Sequence, residues 1–421
     1  MIKRVYKFGG ASVKDAEAVK NIARILKSGH TDDLMIVVSA MGKTTNAIEK
    51  ALSQFREAEN ELSINVLSDL MQYHEEIMLK LFDDENNPVF QKVADLFLDL
   101  YLNLLKKNLN YDYHYDITVS FGELISTTII AAYLQNQGLE AVWIDARDYL
   151  ITDARFRDAN PDFDECRLKM QNLNKNHSGE LIVTQGFIGS SATPKSTVTL
   201  GREGSDFSAA VFAYCLDAEE VTIWKDVDGI RNADPKLFDK TVKIPHLSYQ
   251  EAIELAFYGA SVIHPKTIKP LQNKNIPLKV KCFLDEKIEP TVIDGFSGFI
   301  DYCPSFIVKE KQTLVSITPK DFSFMNEKNI SFLFGIFDEI GIHANMIQTS
   351  ALMLSVCFNN DKMKLESLML SVSDRFFVKY NDDLQLFTVR HYREGVEEPF
   401  VKGRKILLEQ RNRNSIQLVF A

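Results

Sequence analysis

Short runs built almost entirely of Val, Ile, Leu and Met constrain this chain more than any other feature. The run Leu34-Met35-Ile36-Val37-Val38 is the clearest of them. A strand with one solvated face alternates apolar and polar residues, whereas one without alternation is buried on both faces, as in a parallel sheet covered by helices. Candidate strands lie at 5–8, 34–38, 141–144, 181–184, 198–200, 221–224 and 278–282, and several of them are near-continuous runs of this kind. Longer segments of helical period separate them. The pattern predicts a three-layer αβα sandwich around a mainly parallel sheet. At 421 residues the chain has room for two or three domains.

Between 55 and 115 the pattern is purely helical. Leu62, Val66, Leu70, Tyr73, Ile77 and Leu81 fall on one expected helix face, 83–88 breaks it, and Phe90, Val93, Phe97, Leu100 and Leu104 form a second stripe. Gly, Ser and Pro cluster at 295–304 and mark a domain boundary. Beyond it, strand 313–317, helix 325–340, strands 343–349 and 352–358, helix 362–371 and strand 376–380 give a split-βαβ α+β unit over about 312–381. Strands 384–389 and 416–420 flank one weak helix and read as a shortened second copy over about 384–421.

The formal net charge of −10 excludes a non-specific nucleic-acid surface, so an anionic substrate must be drawn in by local positive charge. Five scattered cysteines without a C-x-x-C pair argue against a disulfide framework or a zinc site and suit a reducing, cytoplasmic setting. The N-terminus enters a strand without a signal-peptide apolar region, and no run of 18 apolar residues predicts a membrane span.

Two glycine loops carry the chemistry. Lys7-Phe8-Gly9-Gly10-Ala11-Ser12 ends the first strand and opens a helix, where backbone N–H groups and the helix dipole attract phosphate and Lys7 can reach a transferring group. It is not a Walker loop, and neither is Gly42-Lys43-Thr44, because Val37 stands where that motif needs its first glycine. Thr199-Leu200-Gly201-Arg202-Glu203-Gly204-Ser205-Asp206 presents a guanidinium, a hydroxyl and a carboxylate in one turn, and reads either as an anion clamp or as a polar surface turn. Ser39, Thr45 and Asn46 follow the second strand. Glu123 follows an expected strand around 117–119 and is a ligand or a helix-dipole partner. Lys225, Asp226, Arg231 and Lys236 occupy a polar turn that lacks calcium-loop spacing. His246 and His264 have no partner at metal spacing and read as structural, so no protein-held metal site is expected.

Taken together, KFGGAS from Lys7, VSAMGKTTN from Val38, SFGELIS from Ser120, VTQGFIG from Val183, TLGREGSDFSAA from Thr199, IWKDVDGIRNADP from Ile223 and LSYQEAIELAFYGASVIHPKTI from Leu247 resemble the aspartate kinase family, in family order over about the first 290 residues. The tail resembles paired ACT regulatory domains. The resemblance implies an amino-acid kinase catalytic domain over 1–297, with its helical excursion at about 56–115, and an ACT-type region over 305–421. It implies phosphorylation of the β-carboxylate of L-aspartate by ATP, with Mg²⁺ held mainly by the nucleotide phosphates. Lys7 and Asp206 would serve the transfer. Arg202 would grip the α-carboxylate and Glu123 the amino group, with Ser39, Thr45, Phe187 and Ser205 completing the pocket. Lys7, Gly9, Gly10, Ser12, Lys225, Asp226, Arg231, Lys236 and Ser261 would face the nucleotide. His343, Ala344 and Asn345 match the effector segment, Asn345 standing where lysine-sensitive relatives often carry an acid. An ACT-mediated homodimer and a possible amino-acid effector follow, with no nucleic-acid or membrane partner. No fused homoserine dehydrogenase is expected after Ala421.

The chain departs from the family pattern at Glu203, usually Gly, at Lys225, often Thr or Ser, at Arg231, often Tyr, at Lys236, often Arg, and at Ser261, often Lys. Competing readings are a kinase of the same fold acting on glutamate, acetylglutamate or a nucleotide, and a catalytically dead amino-acid sensor.

Overall fold

The structure is a computed structural model that describes every residue except 1, 30, 178, 261, 262, 297, 299 and 300. The chain divides into two compact units: Met1–Ile230, Lys243–Ile253 and Ile263–Ser297 form the first, and Arg231–Val242, Glu254–Val262 and Gly298–Ala421 the second.

The large sheet of the first unit runs, among the described residues, in the order His246–Ser248, Thr291–Asp294, Leu278–Cys282, Glu220–Lys225, Arg4–Phe8, Leu34–Val38, Leu181–Gln185, Ala141–Trp143. The last six are mutually parallel, and Thr291–Asp294 runs antiparallel to Leu278–Cys282. All five residues of Leu34–Val38 and of Leu181–Gln185 are buried, as their unbroken apolar runs require. The helix Gly204–Leu216 packs on Arg4–Phe8, Leu34–Val38 and Glu220–Lys225, while Phe121–Asn136 packs on Leu34–Val38, Leu181–Gln185 and Ala141–Trp143. These are the two helix layers of an αβα sandwich.

Three local expectations change. Residues 117–119 are not a strand: they end the helix Tyr111–Val119, which Asn110 caps by accepting hydrogen bonds from the N–H groups of Asp112 and Tyr113, and which runs almost directly into Phe121–Asn136. The combined stretch Tyr111–Asn136 is long and apolar enough to cross a membrane, but 89% of its apolar window is buried inside the fold. On the helix Asn60–Leu81 the buried face runs through Ser63, Leu67, Leu70, His74, Ile77 and Leu81, and Leu62 is exposed, because His74 and Ser63 turn inward with hydrogen bonds to Leu70 O and Ala51 O. The expected strand 198–200 is Ser196–Thr199, in a separate small sheet with Ile188–Ser191 and Ile151–Thr152.

The second unit is built on two strands of 15 residues each, Ser305–Pro319 and Phe376–Arg390, in the sheet order Ala344–Thr349, Leu354–Asn359, Ser305–Pro319, Phe376–Arg390, Ser415–Phe420, Ile406–Arg411. Helices Glu327–Ile340 and Lys362–Val372 cover the first half through Leu333, Phe337, Leu365 and Leu368. In the second half the only helix is Glu398–Val401 among the described residues, and Phe238, Phe306 and Phe400 pack on Phe387, Val389, Ile416, Leu418 and Phe420 in its place. Residues 305–309 pair with 386–390. The second half therefore begins before the first, and the two are interleaved rather than consecutive.

Candidate active site

In a parallel α/β sheet the ligand crevice opens beyond the carboxyl ends of the strands, where the strand order reverses. Arg4–Phe8 lies between Leu34–Val38 and Glu220–Lys225, so its end is such a place. There Lys7, Gly9, Gly10, Ser12, Ser205, Asp206, Lys225 and Asp226 line a cleft of about 280 Å³. Ser12 Oγ donates to Trp224 O at 3.5 Å and ties the glycine loop to the neighbouring strand. Asp206, in the first turn of Gly204–Leu216, brings its Oδ1 within 2.6 Å of Lys7 Nζ and its Oδ2 within 3.8 Å of Lys225 Nζ. Burial pushes the Asp206 carboxyl up, but the two ammonium groups outweigh it and hold it below the ordinary aspartate value. The acid stays anionic and fixes two cations at the edge of the cleft.

A second group of residues surrounds Glu123, which the helix Phe121–Asn136 buries in its first turn. Its Oε1 accepts from Ala40 N–H at 3.3 Å, and Oε2 is buried with no hydrogen-bond partner among the described residues. Burial pushes this carboxyl up to about 8, with the Ala40 N–H and the nearby Thr45 only partly opposing it. Ser39 continues from Leu34–Val38, and its carbonyl accepts from Ser126 Oγ at 2.7 Å on the same helix as Glu123. The two groups meet through the loops that carry them, since Gly42 N–H donates to Gly10 O at 3.1 Å.

Phe187 adopts φ +68° and donates its N–H to Ser208 Oγ at 2.9 Å. A Cβ on the preceding Gly186 would stand 2.6 Å from Ser205 Cβ, so this glycine is what lets the Phe187 turn touch the Ser205 helix. Arg202 is exposed on the turn before that helix. Glu203, whose place in the loop the sequence left unexplained, sits at φ +55° and accepts from His264 N–H at 3.1 Å through Oε2.

Arg231 and Lys236 belong to the second unit, where Arg231 Nη1 donates to Thr241 O at 3.0 Å and Thr241 Oγ1 at 2.9 Å. Ser261 lies outside the described residues. His343 is exposed just before the strand Ala344–Thr349, and Asn345 faces inward to Lys309, Gln312 and Asn359 of the second unit. Among the described residues no cluster of His, Cys, Asp and Glu could hold a metal ion. Sequence reasoning missed Asp116, which shares its helix with a second acid, Asp112, and so does not stand out.

Residues 3–282 match the amino acid kinase family. The bifunctional aspartokinase/homoserine dehydrogenase 1 of Arabidopsis thaliana chloroplasts is 30% identical over 88% of this chain and 42% of its own length. Aspartokinase 2 of Arabidopsis thaliana chloroplasts is 30% identical over 88% of this chain and 69% of its own. The crystal structure of E. coli aspartokinase III in complex with aspartate and ADP superposes with a TM-score of 0.84, at 26% identity, over 99% of this chain and 96% of that one. The chain spans about two fifths of the bifunctional relative. It belongs to the amino acid kinase family and, within it, to the aspartokinases.

Proposed function

We propose that the chain transfers the γ-phosphoryl group of ATP to the β-carboxylate of L-aspartate, giving 4-phospho-L-aspartate, the first step toward lysine, threonine and methionine. The observation that carries this reading is the buried Glu123 with its unpartnered Oε2. A carboxylate in such a place is costly unless a cation completes it, and an α-ammonium group supplies one. The aspartate and ADP held by the E. coli relative support both ligands.

The nucleophile, a carboxylate, is already ionised near neutral pH, so no general base is required. The difficulty is one anion approaching another. Lys7, held by Asp206, lies at the cleft edge to neutralise charge on the transferring group, and Lys225 adds a second cation. Gly9 and Gly10 allow the backbone to cradle phosphate, and the exposed Arg202 guanidinium is free to take the α-carboxylate bidentately. Mg²⁺ would travel on the nucleotide phosphates and offset their charge. Binding and positioning are then the work of the protein's own groups. The second unit is read as a regulatory, dimer-forming module that takes an amino-acid effector.

Purified chain incubated with ATP, Mg²⁺, L-aspartate and hydroxylamine is expected to yield aspartyl hydroxamate, and to yield far less product from L-glutamate or N-acetylglutamate. No hydroxamate from aspartate, or a preference for glutamate, overturns the proposal.

A further inference from the structure

Asp116 is fully buried on the helix Tyr111–Val119, and both its carboxylate oxygens accept hydrogen bonds. Oδ2 accepts from Thr199 N–H at 2.9 Å and from Arg157 N–H at 3.0 Å, and Oδ1 accepts from Thr199 Oγ1 at 2.7 Å. These three donors belong to two loops that interlock. Thr199 is the last residue of its strand and leads directly into Leu200, Gly201 and Arg202. Gly201 has φ +76°, and a Cβ there would stand 2.9 Å from Arg157 O and 3.0 Å from Asp158 Oδ1. The Arg157–Asp158 turn thus braces the loop that carries Arg202, and Asp116 bonds to both sides of the junction.

The same helical run, Tyr111–Asn136, carries Glu123. We infer that Asp116 is a positioning residue that fixes the separation between the Glu123 carboxylate and the Arg202 loop, and so selects amino acids whose ammonium and α-carboxylate groups fit that separation. The inference rests on the aspartate kinase reading of the site. An apolar residue would fill the same volume at lower desolvation cost, but it could not hold one hydroxyl and two N–H donors in a single arrangement. A loop displaced by about 1 Å can cost a large factor in turnover without touching the reacting atoms.

The test is steady-state kinetics on the full chain with Thr199→Val, Thr199→Ser and Asp116→Asn. Thr199→Val removes one hydroxyl and nearly preserves shape, so the test does not depend on Asp116→Asn folding. Thr199→Val is expected to raise KM for L-aspartate about tenfold, the equivalent of one lost hydrogen bond, with KM for ATP within about twofold of wild type. Thr199→Ser is expected to restore KM for aspartate. Asp116→Asn is expected to shift kcat/KM toward L-glutamate relative to L-aspartate. A Thr199→Val KM for aspartate within about twofold of wild type, or equal rises in both KM values, overturns the positioning role. Absence of aspartyl hydroxamate from the wild-type chain would instead remove the kinase reading, and is observed before any variant is made.

Discussion

Lys7 Nζ and Asp206 Oδ1 stand 2.6 Å apart, with 10% and 6% of their side chains exposed. One residue is next to last in a central strand and the other lies in the first turn of a helix, so the ion pair joins two layers of the sandwich at the mouth of the cleft. Lys7→Ala is expected to lower kcat on the order of 10²–10³, as other electrostatic stabilisers do. A variant with retained circular dichroism and kcat within about tenfold of wild type would contradict the assigned role.

Under the proposed function, Glu123 would couple aspartate binding to protons. Its folded-state pKa of about 8 lies above the ordinary glutamate value, so the folded chain holds this proton more tightly than the unfolded one. Its contribution to stability is complete below the unfolded pKa and is lost as pH rises through about 8. Asp116, pushed up to about 6 by burial, acts with the same sign over a lower window. Glu123→Gln is expected to flatten the fall in Tm between the unfolded glutamate pKa and about 8. An arriving ammonium favours the ionised acid, so aspartate binding at neutral pH should release a proton. Calorimetry in two buffers of different ionisation enthalpy measures that release, and an equal heat in both would refute it.

Lys225 supplies the second cation beside Asp206, at 3.8 Å. Lys225→Thr is expected to raise KM for ATP about tenfold while changing KM for aspartate much less, because its charge lies on the cleft rather than beside Glu123. An unchanged KM for ATP would separate Lys225 from nucleotide binding.

Glu203 occupies the left-handed region, which costs a side chain about 1–2 kcal/mol relative to Gly, and recovers part of that through its bond to His264 N–H. Glu203→Gly should therefore leave unfolding free energy nearly unchanged. Glu203→Ala, with the strain and without the bond, should lose about 1–2 kcal/mol in urea unfolding. Equal losses in the two variants would show that backbone strain is not what the side chain offsets.

Asn345 donates to Gln312 Oε1 at 2.7 Å and to Asn359 Oδ1 at 2.8 Å, and accepts from Lys309 Nζ at 2.8 Å. An aspartate there cannot donate, and would set a carboxylate against two carbonyl oxygens. Asn345→Asp should lose about 1–3 kcal/mol of stability and gain no inhibition by lysine. Lysine-dependent loss of turnover in this variant would show that the segment can still turn outward to a ligand.

Much of the fold could be read from residues whose environment leaves one choice. Leu34–Val38 is buried on both sides and can only be an interior strand. Ile117, Thr118 and Val119 misled because β-branched residues favour strands in isolation, whereas here the cap at Asn110 and burial against the fold set a helix. Residues 376–380 and 384–389 looked like two strands because Asn381, Asp382 and Asp383 have turn chemistry. The chain instead passes through them as one strand, with Asp383 at φ +57°. At the site, charged side chains on glycine loops declared themselves. Asp116 did not, because its partners are a hydroxyl and two backbone N–H groups that leave no spacing pattern in the sequence.

The two halves of the second unit share their central strands end to end. At about 3.3 Å per residue, each 15-residue strand is a rod of roughly 50 Å with one half-domain built on each end. Cutting the chain near 382 would not free a self-sufficient piece. It would sever one rod and split the apolar cluster in which Leu314, Met346 and Cys357 of one half pack with Leu384, Leu386 and Val419 of the other. The half that looks vestigial by length thus closes part of the core of the half that looks complete, and deleting it would bare those three side chains.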